Sequence, residues 1–158
     1  MERALKSTLA MGGFDVAPRH SRLMQKIKSK GNKSTERALR ARLVQAGIRG
    51  WRMHASDLPG KPDFYFDAES VAVFVDGCFW HGCSTCSHVP RKHNSYWSAK
   101  IKRNAQRDAK HTRVLRARGI RVVRFWEHDL LAPSCGCVHR LIEILERVRR
   151  KALGAADI

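Results

Sequence analysis

Residues 58–83 read LPGKPDFYFDAESVAVFVDGCFWHGC and contain the clearest strand pattern of the chain. The run Val71–Val75 is apolar throughout, which is typical of a strand buried on both faces of a sheet. Upstream of it, Lys61–Phe66 reads as a strand that begins near a proline, a position where proline is tolerated. A third strand is expected at Gly50–His54. Short turns separate the three, so they are predicted to pair in chain order as a meander.

Helical patterns surround these strands on both sides. Before the strands, the pattern predicts a basic helix at Arg19–Lys30 and a second helix that is capped by Ser34 or Thr35 and ended by Gly47. After them, it predicts a long polar helix that is capped by Asn94 or Ser95 and ended by Gly119. A strand at Ile120–Trp126 and an amphipathic helix over Val138–Val148 follow. This order predicts an α/β fold in which helices flank a mixed central sheet.

The chain of 158 residues is long enough for one domain with its own core. Residues 1–16 lack periodicity and are expected to form a flexible arm, and residues 17–158 a single domain. No apolar run approaches the about 20 residues that span a bilayer. Met1–Gly13 also lacks the sustained apolar segment of a signal peptide. A cytoplasmic protein without membrane contact is therefore expected.

The charge balance indicates a polyanionic partner. Lysine and arginine number 31 against 14 acidic residues, which gives a formal net charge of +17. Nucleic acid is the natural partner for such a chain, because neutralised phosphates release counterions. A basic solubility face or an anionic membrane surface are the alternative explanations.

Three cysteines, Cys78, Cys83 and Cys86, lie close together in an irregular stretch. Disulfides are rare in the cytosol, so this spacing predicts a structural zinc site, which needs four thiolate or imidazole ligands. His128 is the favoured fourth ligand, because it follows directly on the strand that ends at Trp126. The remaining candidates for that position are His88, His93, Cys135 and Cys137.

A second cluster has the residue types of metal-assisted hydrolysis. A carboxylate at Asp63, in an apolar strand, is costly unless it binds a cation or accepts hydrogen bonds. Asp76 ends the next strand and His81 follows it, so adjacent strand ends bring these side chains together. Carboxylate and carbonyl oxygens suit Mg²⁺, and a nearby histidine can activate water. The simpler alternatives are a turn-capping role for Asp63 and zinc binding by His81.

Two segments, Leu58–Phe64 and Val73–Cys83, resemble the very short patch repair (Vsr-type) endonuclease family. The resemblance extends from about Ser21 to Leu130, and its most specific part is Asp76–Cys83. It implies a restriction-endonuclease-like fold with the basic helix of residues 19–30 on DNA. It also implies nicking 5′ to the T of a T·G mismatch formed when 5-methylcytosine deaminates.

The resemblance implies partners as well as a substrate. Double-stranded DNA with a T·G mismatch is the expected substrate, and the enzyme is expected to be nucleoid-associated. Mismatch-repair proteins and a DNA cytosine methyltransferase are the implied functional partners. A monomer is expected, because a single asymmetric nick needs only one active site.

The catalytic roles that the resemblance implies fall on the strand ends and the helices beside them. Asp63 and the backbone carbonyl of Val75 are the implied Mg²⁺ ligands, and His81 is the implied group that activates water. Asp108 is expected to orient a catalytic side chain, and Glu36 to support the site. Asp76 stands where some members have a histidine, and it is expected to act near the metal or to orient waters.

The implied DNA contacts are mostly aromatic. Phe79, Trp80 and Trp97 match residues that insert beside the mismatch, where a wobble pair stacks poorly. Met24 matches a wedge from the opposite groove, and Lys100 and Asn104 match a helix face that reads base edges or phosphates. Without the resemblance, Met24, Phe79 and Trp97 also suit a core, and Asn104 suits a solvated helix face.

Two departures from the family pattern affect the zinc site and the catalytic strand. The family's usual fourth zinc ligand is a cysteine, whereas this chain has His128, so a Cys₃His site is implied unless Cys135 or Cys137 substitutes. The Glu-x-Lys element of restriction-type nucleases is absent here, as it is in the family. Two competing interpretations remain. One is a related nuclease with another recognition sequence, and the other is a zinc-stabilised DNA-binding module without catalysis.

Overall fold

The computed structural model describes residues 34–86, 89–91, 93–132 and 136–156. The predicted arm of residues 1–16 and the basic helix of residues 19–30, with Met24, lie outside the described residues. So do His88 and Cys135, two of the alternative zinc ligands. In the part of the chain that is described, no helix is long and apolar enough to cross a membrane.

A mixed four-stranded sheet forms the centre of the fold. Its strands are β1 (Trp51–Met53), β2 (Phe64–Phe66), β3 (Val71–Asp76) and β4 (Arg121–Trp126), and they lie side by side in that order. The first three strands pair antiparallel, and β4 pairs parallel with β3. The predicted meander and mixed sheet are confirmed.

Helices account for most of the remaining described residues. They are α1 at residues 34–45, α2 (Asn94–Ala117), α3 (Glu127–Leu131) and α4 (Cys137–Ala156). The short α3 was not expected from the sequence. The predicted cap of α2 was wrong by one or two residues, because His93 occupies the N-cap in a left-handed conformation with φ 57°.

The strand β3 is buried on both faces, as its apolar run predicted. Its residues alternate between two cores, because successive side chains of a strand point to opposite faces. The larger core holds Val71, Val73 and Val75 of β3 with Leu39 and Leu43 of α1 and Leu141 and Leu145 of α4. The smaller core, on the other face, holds Ala72 and Phe74 with Leu115 of α2. The sheet is therefore covered by helices on both sides.

The predicted strand Lys61–Phe66 was too long at its start. Lys61 adopts a left-handed conformation with φ 51°, which extended backbone does not allow, so β2 begins at Phe64. The pairing nevertheless continues before β2, because the N–H of His54 donates to the carbonyl of Asp63 at 3.1 Å. Asp63 thus lies just before the strand rather than inside it.

The turn that precedes Asp63 packs closely on α2. A Cβ atom added to Gly60 would lie 2.8 Å from Nδ1 of His111, and Gly60 itself has φ 79°. Only glycine combines this backbone conformation with so close an approach. The contact fixes the loop of residues 57–63 against α2 and so helps to position Asp63.

Candidate active site and metal centre

Three side chains from different elements converge beside the start of β2. They are Glu36 of α1, His54 after β1 and Asp63, and one ligand atom from each lies within 4.8 Å of the others. His54 Nε2 lies 3.4 Å from Glu36 Oε2. Glu36 is largely buried, whereas the His54 side chain is 61% exposed. These three side chains could hold a cation between them, with Glu36 on the buried side and His54 facing solvent.

Asp63 is held by the neighbouring strand. The N–H of Val75 donates to Asp63 Oδ2 at 2.6 Å, which brings the two residues predicted to bind Mg²⁺ into contact. Burial raises the pKa of Asp63 to about 6, and the negative charges of Glu36 and Asp76 add to the rise against the hydrogen bond from Val75. A carboxylate in these surroundings is stabilised in its ionised form when a cation binds.

His81 and Asp108 form a close pair on the α2 side of the sheet. His81 Nδ1 lies 2.5 Å from Asp108 Oδ2. Burial alone would raise the pKa of Asp108, but the hydrogen bond with His81 and the nearby positive charges outweigh it and lower that pKa. When Nδ1 donates to Asp108, the lone pair of the imidazole lies on Nε2. That nitrogen can then accept a proton.

Asp76 joins this pair to the rest of the site. Both of its carboxylate oxygens accept hydrogen bonds from Arg124, at 2.6 and 2.8 Å, and its Oδ1 lies 3.6 Å from His81 Nδ1. Arg124 also lies 3.7 Å from Asp108. Val75 and Asp76 are consecutive, so the end of β3 contacts Asp63 with one residue and His81 with the next. The two groups of side chains therefore form one site.

The cysteine cluster is assembled around His128 of α3. Its Nδ1 lies 3.2 Å from Sγ of Cys78, 3.6 Å from Cys83 and 3.4 Å from Cys86. Ligands around a tetrahedral zinc ion are about 3.6 Å apart for a sulfur–nitrogen pair and about 3.8 Å for a sulfur–sulfur pair. The separation of 3.6 Å between Cys83 and Cys86 is close to this as well. The four side chains can therefore hold a metal ion with little movement.

The chemistry of the thiols points the same way. The side-chain hydrogen bond with Cys78, burial and the charges of the neighbouring thiols together raise the pKa of Cys86 to about 12. Binding of a cation would stabilise the thiolate form instead. Asp129 lies 3.2 Å from His128 Nε2, the ring nitrogen opposite the thiols. Carboxylates in this position orient metal-binding imidazoles. Of the alternative fourth ligands, Cys137 lies in the larger core and His93 at the start of α2.

An aromatic cluster occupies the loop after β3 and the start of α2. The ring centroid of Phe79 lies 5.0 Å from Trp80 and 5.5 Å from Trp97, and Tyr96 packs against Trp97 at 5.1 Å. The rings of Phe79, Trp80 and Trp97 are only partly buried. The sequence-predicted intercalating residues are thus brought together at the surface rather than in either core.

The two predicted helix contacts with DNA lie beside these rings. Lys100 Nζ is 5.8 Å from the ring centroid of Trp80. Asn104 donates from Nδ2 to the carbonyl of Trp80 at 2.9 Å, and its Oδ1 accepts from Arg107. In this structure the amide of Asn104 therefore ties the aromatic loop to α2.

Two residues of the site were missed by sequence reasoning, His54 and Arg124. The signal for His54 was the strand register, because continuing the pairing of Trp51 with Phe66 sets His54 opposite Asp63. Arg124 reaches Asp76 from the neighbouring parallel strand, and only the register of β3 with β4 reveals this pair.

Comparisons with known proteins match this chain to one family. The profile of the family described as DNA mismatch endonuclease Vsr matches residues 12–87. The type II nicking enzyme V.XorIIP of Xanthomonas oryzae pv. oryzae is 41% identical over 68% of this chain and 79% of that protein. V.NaeI, a type II nicking enzyme of Lentzea aerocolonigenes, is 39% identical over 80% of this chain and 78% of its own. The DNA mismatch endonuclease Vsr of Escherichia coli is 35% identical over 58% of this chain and 59% of its own.

Proposed function

The chain belongs to the Vsr family of DNA mismatch endonucleases, and on this premise we propose that it nicks double-stranded DNA 5′ to the T of a T·G mismatch, with Mg²⁺ at Asp63. As a member it is a DNA endonuclease, a hydrolase of phosphodiester bonds. The observation that carries the proposal is the contact of one strand end, Val75–Asp76, with both a cation pocket and a paired histidine.

Asp63 and the backbone carbonyl of Val75 are the proposed Mg²⁺ ligands, with Glu36 supporting them. When bound, the ion stabilises negative charge on the scissile phosphate and lowers the pKa of water. The raised pKa of Asp63 fits this role, because the carboxylate lies in a buried site with two further acidic residues nearby.

His81 is the proposed general base. Its Nε2 accepts a proton from the attacking water, and the charge that forms on the imidazole is stabilised by Asp108 at Nδ1. Asp108 is thus a positioning residue, because its hydrogen bond with Nδ1 leaves Nε2 as the nitrogen that accepts the proton. We assign Asp76 a similar role, since its hydrogen bonds with Arg124 fix it beside His81.

Recognition of the mismatch is proposed for the aromatic cluster. A T·G wobble pair stacks less well than a matched pair, so opening the step beside it costs less. Phe79, Trp80 and Trp97 present partly exposed ring faces that replace the lost stacking. The tie between Asn104 and the Trp80 carbonyl holds these rings in place before DNA binds.

Zinc is the proposed occupant of the Cys78, Cys83, Cys86 and His128 site. Four protein ligands leave no open position, so its role is structural. The ion would join the loop after β3, which carries the aromatic rings and His81, to α3 at the end of β4.

A second candidate keeps the same chemistry on a different target. Two of the relatives described above are type II nicking enzymes by name, so a nicking endonuclease with another recognition sequence is the alternative. A panel of duplexes that differ only in the central pair, T·G, T·A or C·G, set in several flanking sequences, distinguishes the two. Nicking confined to T·G duplexes supports the proposal, and equal nicking of matched duplexes contradicts it.

A further inference from the structure

We infer that His54 and Glu36 bind the divalent cation directly, alongside the proposed ligands Asp63 and the Val75 carbonyl, so that the site binds Mn²⁺ in preference to Mg²⁺. The inference rests on the proposed function, whose cation it concerns. It adds a nitrogen ligand to a site that would otherwise offer only oxygen atoms.

The distances suit a shared ion. Adjacent ligands of an octahedral ion at about 2.1 Å are about 3 Å apart. His54 Nε2 and Glu36 Oε2 are already 3.4 Å apart, and each lies within 4.8 Å of an Asp63 oxygen. Small side-chain rotations therefore bring all three atoms into one coordination sphere.

The backbone holds His54 in the required place. Its N–H donates to the carbonyl of Asp63, so the two residues face each other across the extended β1–β2 pairing. His54 itself has φ 51°, a left-handed conformation that ends β1. The imidazole lies 3.4 Å from the Glu36 carboxylate and remains 61% exposed. Water and a phosphate oxygen can thus complete the coordination from the outer side.

The charges also favour a cation over a simple ion pair. A protonated His54 would neutralise only one of two neighbouring carboxylates, and Asp63 would still face Glu36. A divalent ion with neutral imidazole balances both carboxylates and uses all three groups as ligands. Replacing one water ligand by imidazole favours transition metals over Mg²⁺, which prefers oxygen ligands and retains its waters.

Mn²⁺ is the probe of choice, because it accepts both oxygen and nitrogen ligands and is paramagnetic. The full-length protein, with the metal at its cysteine site retained, is titrated with MnCl₂ and free Mn²⁺ is followed by electron paramagnetic resonance. Pulsed measurements on the bound ion then detect ¹⁴N coupling from a directly bound imidazole.

We expect ¹⁴N coupling in the wild type and its loss in His54→Asn, a substitution that tolerates the left-handed backbone. Mn²⁺ affinity should fall on the order of tenfold, and Mg²⁺ affinity, measured by competition, should fall by much less. His139→Asn, which alters an exposed histidine of α4, is the matched control and should behave as wild type. Circular dichroism and metal content verify that each variant is folded.

The outcomes separate this inference from the proposed function. Unchanged ¹⁴N coupling in His54→Asn, or no binding of Mn²⁺ at millimolar concentration, overturns the inference. If Mn²⁺ binds without ¹⁴N coupling while T·G duplexes are nicked, the inference fails and the proposed function stands. If coupling from His54 is present but no mismatched duplex is nicked, the cation site stands and the proposed function fails.

Discussion

Replacing Asp63 by asparagine is expected to stabilise the protein in the absence of Mg²⁺ while abolishing its activity. Burial raises the pKa of Asp63 from 3.8 to about 6, so the folded protein disfavours the ionised carboxylate. That difference in pKa corresponds to about 3 kcal/mol at pH 8. Asparagine keeps an oxygen that can accept the hydrogen bond from Val75, and it carries no charge.

The pH dependence of this gain has a defined sign. The folded state binds the proton of Asp63 more tightly than the unfolded state does, so this group lowers stability as pH rises from about 4 to about 6. The advantage of Asp63→Asn should therefore widen with pH. About half of the 3 kcal/mol should remain at pH 5, and the advantage should level off above about pH 7.

Urea unfolding at pH 5 and pH 8, in buffer without Mg²⁺ and without chelator, measures both values. Asp67→Asn, which removes an exposed carboxylate paired with Arg52, is the control, and its effect should not widen with pH. Adding Mg²⁺ should stabilise the wild type and leave Asp63→Asn unchanged, since only the former binds the ion. If Asp63→Asn is destabilised equally at both pH values, the ionised carboxylate of Asp63 does not destabilise the folded protein.

Three further predictions concern the rest of the site. Asp108→Asn should lower the single-turnover nicking rate by about 10²–10⁴-fold and alter the pH profile of that rate, because His81 loses the partner that fixes its accepting nitrogen. An unaltered pH profile would contradict this role. Cys86→Ser should release the proposed zinc and lower the melting temperature, which metal analysis and thermal unfolding measure. A variant that retains one ion per chain and its full stability would argue against the proposed zinc ligands. Trp80→Ala should reduce the preference for T·G over T·A duplexes in fluorescence anisotropy while weaker binding to matched DNA persists; an unchanged preference would exclude the ring from mismatch recognition.

Much of the fold follows from hydrophobic patterning. The all-apolar Val71–Val75 could be covered only by placing the strand inside the sheet, and Gly47 and Gly119 end their helices with positive φ angles. The start of β2 was misplaced because the fixed φ of Pro62 suits a strand start as well as a turn. The contact of Gly60 with His111 that fixes this turn is made between distant parts of the chain.

The site was less accessible to sequence reasoning, because its geometry depends on register. His128 was anticipated as a metal ligand, since it directly follows a strand and so has a defined position. His54 was not, because its neighbour Asp63 is identified only once β1 and β2 are paired residue by residue. Asp76 was expected near the metal, but its pairing with Arg124 was missed, because that pairing depends on the alignment of the parallel strands β3 and β4.

The proposed nick 5′ to the mismatched T can be mapped at single-nucleotide resolution in a duplex that contains one T·G mismatch and is labelled separately on each strand. With Mg²⁺, the wild-type protein is predicted to cut only the T-containing strand, immediately 5′ to the T, whereas Asp63→Asn should leave both strands intact. Cleavage of both strands would exclude a mismatch-specific nick, and equal cutting by Asp63→Asn would exclude Asp63 from catalysis.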